Sequence, residues 1–209
     1  IITAQSFGAK EYDRMRRSVA TATILSFSFT LLFSLSIYLS MEKLFEIMNI
    51  PLEIIDDCRR FLSILCGGVI FIVGFNLLSG FMRALGDSKT PLYFLIFTTL
   101  INIVLNIIFI YYGNMGVSGS ALGTVTAMFI SVVFCLIFMN KRFSLLRPQP
   151  KDWKFEKNFY KEHLIIAVPM ALHFSILALS LSITQAICNK FGFLTIAAMT
   201  AALRLEQLA

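Results

Sequence analysis

The sequence predicts an all-α polytopic membrane protein, and three observations predict it. From Thr90 to Asn140 the chain runs fifty-one residues without Asp, Glu, Lys or Arg, broken only by the glycine-rich stretch 113–119. About 20 apolar residues at 1.5 Å rise cross the roughly 30 Å hydrocarbon core, so this run has the length of two crossings joined by a tight hairpin. Charge-free runs recur at 18–41 and 61–82, and 163–188 carries only His163 and His173. Composition agrees: 57% of residues are hydrophobic, 14% are charged, and the mean hydropathy is +0.79.

Five complete spans follow, near 18–40, 61–82, 91–112, 117–140 and 163–188. Ile1–Phe7 reads as the foot of an earlier span and Ile196–Ala209 as the beginning of a later one, so the sequence reads as a piece of a longer protein. No short apolar stretch follows a basic N-terminal region with a small-residue cleavage site, as a secretory signal would require.

The loops set the expected topology. Thirteen Lys and Arg residues fall before the first span, between the second and third, and between the fourth and fifth, against Lys43, Arg59, Arg60 and Lys190 on the other side. The excess of positive charge on one side puts that side, including the loop between the fourth and fifth spans, in the cytoplasm of a plasma (inner) membrane protein. These cations are split among short loops and do not line one folded face, so a nucleic-acid partner is not expected; membrane lipids are. Cys58, Cys66, Cys135 and Cys188 lie far apart with no CxxC pair, so neither a disulfide nor a metal cluster is expected.

Two loops have readable mechanics. After the second span Gly86 can take the left-handed position that ends a helix, and Thr90-Pro91 reads as a cap followed by proline at the first helical position. Turn chemistry and a functional role both stay open for Asp87 and Lys89. Between the fourth and fifth spans, Arg147-Pro148-Gln149-Pro150 is stiff, and Asp152–Glu162 interleaves Trp153, Phe155, Phe159 and Tyr160 with lysines. Such a segment should lie along the membrane surface. As the longest connection it marks the expected division: an N-terminal lobe over 1–140, a linker over 141–162 and the start of a second lobe over 163–209.

Function must come from polar groups carried into lipid. On the third span Asn102 and Asn106 share a face with Thr98; on the fourth, Ser120, Thr124, Ala127 and Ser131 form a stripe of small and hydroxyl residues. Both stripes should face protein. The second span adds Asn76 and the small residues Gly67, Gly74 and Gly80; the first adds Thr23, Ser26, Thr30 and Ser34. Close helix packing accounts for the serines of the first span. For the three asparagines, packing stands beside a polar site, because amide oxygens at mid-depth suit a cation or a polar substrate group. His173 lies one turn beyond Pro169, which frees a backbone carbonyl, so a hydrogen bond at a kink stands beside a titrating or substrate-facing role. Gln185 and Asn189, near the outer end, line the same cavity or mark the water interface. No span holds an acid pair, a metal-ligand cluster or a nucleophile beside a base, so an intramembrane enzyme has little support, and no catalytic residue or bound cofactor is assigned.

The stretches GFMRALGDSKTP (80–91), NIVLNIIFIYYGNMGVSGSALGTVTAM (102–128), VPMALHFS (168–175) and QAICNKFGFLTIAAMTAALRLE (185–206) together resemble the multidrug and toxic compound extrusion (MATE) transporters, especially their bacterial members. The resemblance implies a helical bundle of two six-helix lobes, with the five spans here as helices three to seven and Ile196–Ala209 as the start of the eighth. It also implies a cation site in the N-terminal lobe, for which Asn76, Asn102, Asn106 and Thr124 occupy matching positions. Asn106 stands where the family pattern has an acid. A proton-titrating role at that position is therefore excluded chemically, and a sodium site there would carry one negative charge fewer. Some members have a Glu on the seventh helix; the fifth span here has no acid after Glu162. The implied activity is export of amphiphilic, often cationic small molecules by antiport against a proton or sodium gradient, with His173 and Gln185 as substrate-cavity candidates. A flippase-like exporter of lipid-linked precursors or polysaccharide is the alternative, but spans one to five hold no basic residue to build its cationic groove. Oligomeric state is not legible.

Overall fold

The computed structural model describes residues 1–47, 54–143, 146, 149–153 and 156–189. Its helices are α1 (Ile2–Gly8), α2 (Tyr12–Leu39), α3 (Met41–Ile47), α4 (Ile55–Ala84), α5 (Lys89–Ile107), α6 (Gly116–Arg142) and α7 (Lys157–Asn189). A π-helical turn, Ile108–Tyr112, prolongs α5, and a 3-10 turn, Pro150–Trp153, precedes α7. Among the described residues five helices are long and apolar enough to cross a membrane: Tyr12–Leu39, Ile55–Ala84, Lys89–Tyr112, Gly116–Arg142 and Lys157–Leu181. They correspond to the five expected spans but run further into the charged flanks. Charge ends a membrane span without ending a helix, and the signs here suit the helix dipole: Asp13 opens α2, Asp56 and Asp57 open α4, and Arg83, Lys141 and Arg142 close α4 and α6.

The chain divides into two compact units, Ile1–Glu156 and Lys157–Ala209. In the first, α4 packs against α2 on one side and α6 on the other, and α6 packs against α5. The core lies where α2 begins and α4 and α6 end: Met15, Val19, Leu78, Phe81, Met82, Cys135, Met139 and Leu146 form one buried cluster. Elsewhere the helices turn apolar side chains outward, as on α2, where Leu31 is 66% and Phe33 63% exposed. Lipid tails solvate such faces as well as a protein core would, so the bundle needs only a limited core of its own.

Close helix approach is organised differently from the sequence expectation. Of Gly67, Gly74 and Gly80, only Gly74 has a neighbour, Val132, while a Cβ at Gly67 or Gly80 would meet nothing within 4 Å. The tight contact is at Gly68, where a Cβ would lie 2.1 Å from a methyl of Val125. Periodicity alone could not tell which of two adjacent glycines faces α6. Gly68→Ala is expected to destabilise the bundle by about 1–3 kcal/mol through overpacking, whereas Gly67→Ala should be neutral or slightly favourable by helix propensity. Unfolding midpoints of the two variants in detergent would check this; equal midpoints would contradict it.

The α4–α5 connection is a Schellman turn. Gly86 has φ +88°, the Asp87 N–H donates to the Met82 carbonyl at 3.1 Å, and the Gly86 N–H donates to the Arg83 carbonyl at 3.0 Å. The expected Thr90-Pro91 cap is corrected: α5 begins at Lys89, the Ser88 side chain before it makes no cap bond, and Asp87, one residue earlier still, supplies the acceptor for the first turn. Its carboxylate accepts from the Thr90 N–H at 3.0 Å and from the Thr90 hydroxyl at 2.7 Å. Pro91 still falls in the first turn, where its missing N–H leaves no bond unmade. The Thr90 N–H, then its hydroxyl, holds the Asp87 carboxyl below its usual range, and Arg142 contributes more weakly. A lowered value means the cap stabilises above the unfolded carboxylate pKa and is lost as pH falls through the folded one. Asp87→Ala should therefore cost about 0.5–2 kcal/mol near neutrality. The gap from wild type should close below about pH 4, as unfolding curves at both pH values would reveal.

The segment expected along the membrane surface contributes to two elements among the described residues. Residues 150–153 form the 3-10 turn, while Lys157–Glu162 is already the beginning of α7. The turn folds back onto α2: buried Asp152 accepts from the Gln149 N–H at 2.7 Å and pairs with Arg16 at 3.6 Å, Arg17 pairs with Glu156 at 3.0 Å, and Lys151 with Asp13 at 3.3 Å. The second unit contributes α7, with Pro169 inside it. Ile196–Ala209 lies outside the described residues.

Candidate functional site

The stripes on α5 and α6 face each other, as their residue types require. In antiparallel register, Thr98 meets Ser131 hydroxyl to hydroxyl at 2.6 Å, and both residues are buried. One turn further along α5, and two along α6, the Asn102 amide donates to the Thr124 hydroxyl at 3.2 Å. The Asn106 amide donates to the Asn102 carbonyl oxygen at 3.2 Å, and the Thr124 hydroxyl donates to the Ser120 carbonyl at 3.1 Å. The result is a directed chain, Asn106 to Asn102 to Thr124 to the α6 backbone. At its head the Asn106 Oδ1 is buried and has no hydrogen-bond partner. An orphaned acceptor in an apolar interior is costly, by about 1–3 kcal/mol, and marks a place where a donor or cation would be welcome.

Gly123 makes this geometry possible. A Cβ there would lie 2.2 Å from Asn106 Oδ1, so the amide occupies space that any other residue would fill. Sequence reading missed Gly123 as a site residue. The signal was present, since Gly123, Ala127 and Ser131 recur at four-residue spacing and all three are buried. Beyond Asn106 the helix loosens into the π-helical turn 108–112, an irregularity common beside functional sites.

The other expected site residues are not gathered here. Asn76 is exposed and donates to the Ile72 carbonyl of its own helix at 3.0 Å. Thr23 and Thr30 likewise bond their own helix, and Ser34 instead reaches the Cys66 carbonyl on α4 at 2.6 Å. In the second unit His173 is exposed, with its ring edge-on to Phe174 at 5.8 Å; among the described residues no hydrogen bond to it is formed, so the hydrogen bond expected at the kink is absent. Gln185 and Asn189 lie on the last turns of α7, and their side chains fall outside the described residues. The α5–α6 cluster thus offers only neutral oxygens: among the described residues no group of three His, Cys, Asp or Glu side chains could hold a metal ion.

Comparison with known proteins fits this architecture. The family model MatE matches residues 1–108. The chain is 26% identical over 207 residues to the probable multidrug resistance protein YpnP of Bacillus subtilis, covering 99% of this chain and 46% of that protein. It is 31% identical over 140 residues to the chloroplastic protein DETOXIFICATION 45 of Arabidopsis thaliana, covering 66% of this chain and 25% of that protein. A solved inward-facing structure of a multidrug resistance MATE family transporter of the MOP superfamily superposes with a TM-score of 0.83 at 22% identity, over 99% of this chain and 48% of that one. The chain spans about half the length of its bacterial relatives. With the family model matched from α1 to the end of α5, more than half of the chain, the chain belongs to the MatE family.

Proposed function

We propose that the protein containing this chain is a secondary active transporter that exports amphiphilic, often cationic small molecules across the plasma membrane by antiport against sodium or protons. The observation that carries this reading is the part-buried Asn106–Asn102–Thr124 chain with its buried, unpartnered Asn106 oxygen, set between two spans of a MatE bundle. Buried polar groups at mid-membrane are where transporters hold coupling ions and substrates, and alternating access follows from rocking of paired lobes around such a site. The 1–140 lobe, the 141–162 linker and the lobe starting at 163 supply that pairing, with the linker cytoplasmic by its basic charge.

In this reading Asn102, Asn106 and Thr124 supply neutral oxygens to the cation. Asn76, on α4, is the fourth residue that the family resemblance assigns to the cation, while His173 and Gln185 contact substrate from the second lobe. An amide at 106 takes no proton, so coupling through this cluster requires a metal cation such as sodium, and proton coupling would need a titrating group elsewhere. Dye efflux from vesicles holding the full-length protein, with the sodium and proton gradients collapsed separately, tests it. Efflux that stops with one gradient supports antiport and names the ion; no efflux of any cationic dye from vesicles that contain the protein overturns it.

A further inference from the structure

Where α5 begins and α6 stops, the two helices leave an aromatic groove of about 410 Å³ lined by Thr90, Tyr93, Phe94, Phe97, Phe134 and Phe138. That volume falls within the roughly 300–1,000 Å³ range of small-molecule sites. The rings are ordered, with Phe94 against Phe138 and Phe97 against Phe134, each edge to face with centroids 5.6 Å apart. Both walls repeat at helical spacing: Lys89, Tyr93 and Phe97 on α5, and Phe134, Phe138 and Arg142 on α6. Because the helices are antiparallel, each wall changes from aromatic to cationic at the same end.

Lys141 adds a third cation in the last turn of α6. Lys89, Lys141 and Arg142 are exposed, and among the described residues none forms a salt bridge. The acid at this end, Asp87, is occupied by the N–H and hydroxyl of Thr90 and is within electrostatic reach of Arg142. One negative charge beside three positive ones leaves the mouth of the groove net cationic.

We propose that this groove binds an anionic phospholipid, with an acyl chain against the phenylalanine rings and the phosphate held by Lys89, Lys141 and Arg142. The depth of each part fits. The phenylalanines lie within the apolar stretches of both spans, Tyr93 is 66% exposed one turn from Lys89 as tyrosines at headgroup level are, and the cations sit at the helix ends. Charge selects the ligand: a cationic amphiphile is repelled from this mouth, and a zwitterionic lipid brings the same acyl chain with no net attraction.

Native mass spectrometry of the full-length protein, titrated with phosphatidylglycerol or phosphatidylcholine of identical chains, tests the site. Preferential retention of phosphatidylglycerol is expected. It should fall about fivefold for each cation removed, so that Lys89→Gln, Lys141→Gln and Arg142→Gln together bring it to the phosphatidylcholine level. Phe97→Ala with Phe134→Ala should weaken both lipids. Equal retention of the two lipids by the wild type, or an unchanged preference in the triple variant, would overturn the proposal. A second measurement is independent of variant folding: a spin label on Tyr93→Cys should collide freely with lipid-dissolved oxygen. A label shielded from oxygen would mean that protein covers the groove, and would also overturn it.

Discussion

Gly123→Ala is expected to remove most export activity while leaving the protein in the membrane. The added methyl would sit 2.2 Å from Asn106 Oδ1, and 3.2 Å and 3.3 Å from the Asn106 Cγ and backbone nitrogen, so α5 and α6 must part or the amide must turn away. Overpacking of this kind costs about 1–3 kcal/mol of stability. If the displaced amide forfeits one interaction of about 1–3 kcal/mol with the coupling ion, apparent ion affinity falls roughly 5- to 150-fold. The two consequences are separable. Asn106→Ser in the Gly123→Ala background should relieve the clash and restore the unfolding midpoint without restoring efflux. Recovery of both would show that Asn106 matters only for packing.

Asn102→Ala combined with Asn106→Ala carries the second large effect. Removing both amides leaves Thr124 without its donor and deletes the unpartnered oxygen, so the polar content of the α5–α6 interface falls at mid-depth. Interhelical hydrogen bonds in membranes contribute about 0.6–2 kcal/mol each, too little for the bundle to be lost from the membrane. Efflux should drop at least tenfold at unchanged protein level. The comparison that gives this force lies on the same interface: Thr98 and Ser131 share a buried 2.6 Å hydrogen bond, with no orphaned acceptor at Thr98 or Ser131. Thr98→Val with Ser131→Ala should lower stability comparably and leave efflux nearly intact. Equal loss of efflux in both double variants would make the asparagines ordinary packing residues.

Much of this protein follows from its residue order alone. The five spans were legible because crossing hydrocarbon requires about 20 uncharged residues in sequence, a one-dimensional condition that a single chain states outright. That the stripes of Thr98, Asn102 and Asn106 and of Ser120, Thr124 and Ser131 each face protein was legible too, because polar side chains in lipid must find protein partners and helical periodicity says which residues share a face; that they meet each other was not. What the sequence left undecided was everything that depends on which atom meets which. Gly67 and Gly68 are chemically identical neighbours, yet only Gly68 meets Val125. Three asparagines looked alike, yet Asn76 turns to its own backbone while Asn102 and Asn106 link in series. Asp152, which the sequence only placed at the start of a loop segment, is buried against Arg16. Gly123 continues the four-residue spacing of Ala127 and Ser131, but only the packed structure shows that it decides where the Asn106 oxygen lies. The physical reason is one of range: hydropathy and periodicity are properties of a segment, whereas a contact or an orphaned oxygen is fixed by the rotation and separation of two helices, which tertiary packing alone sets.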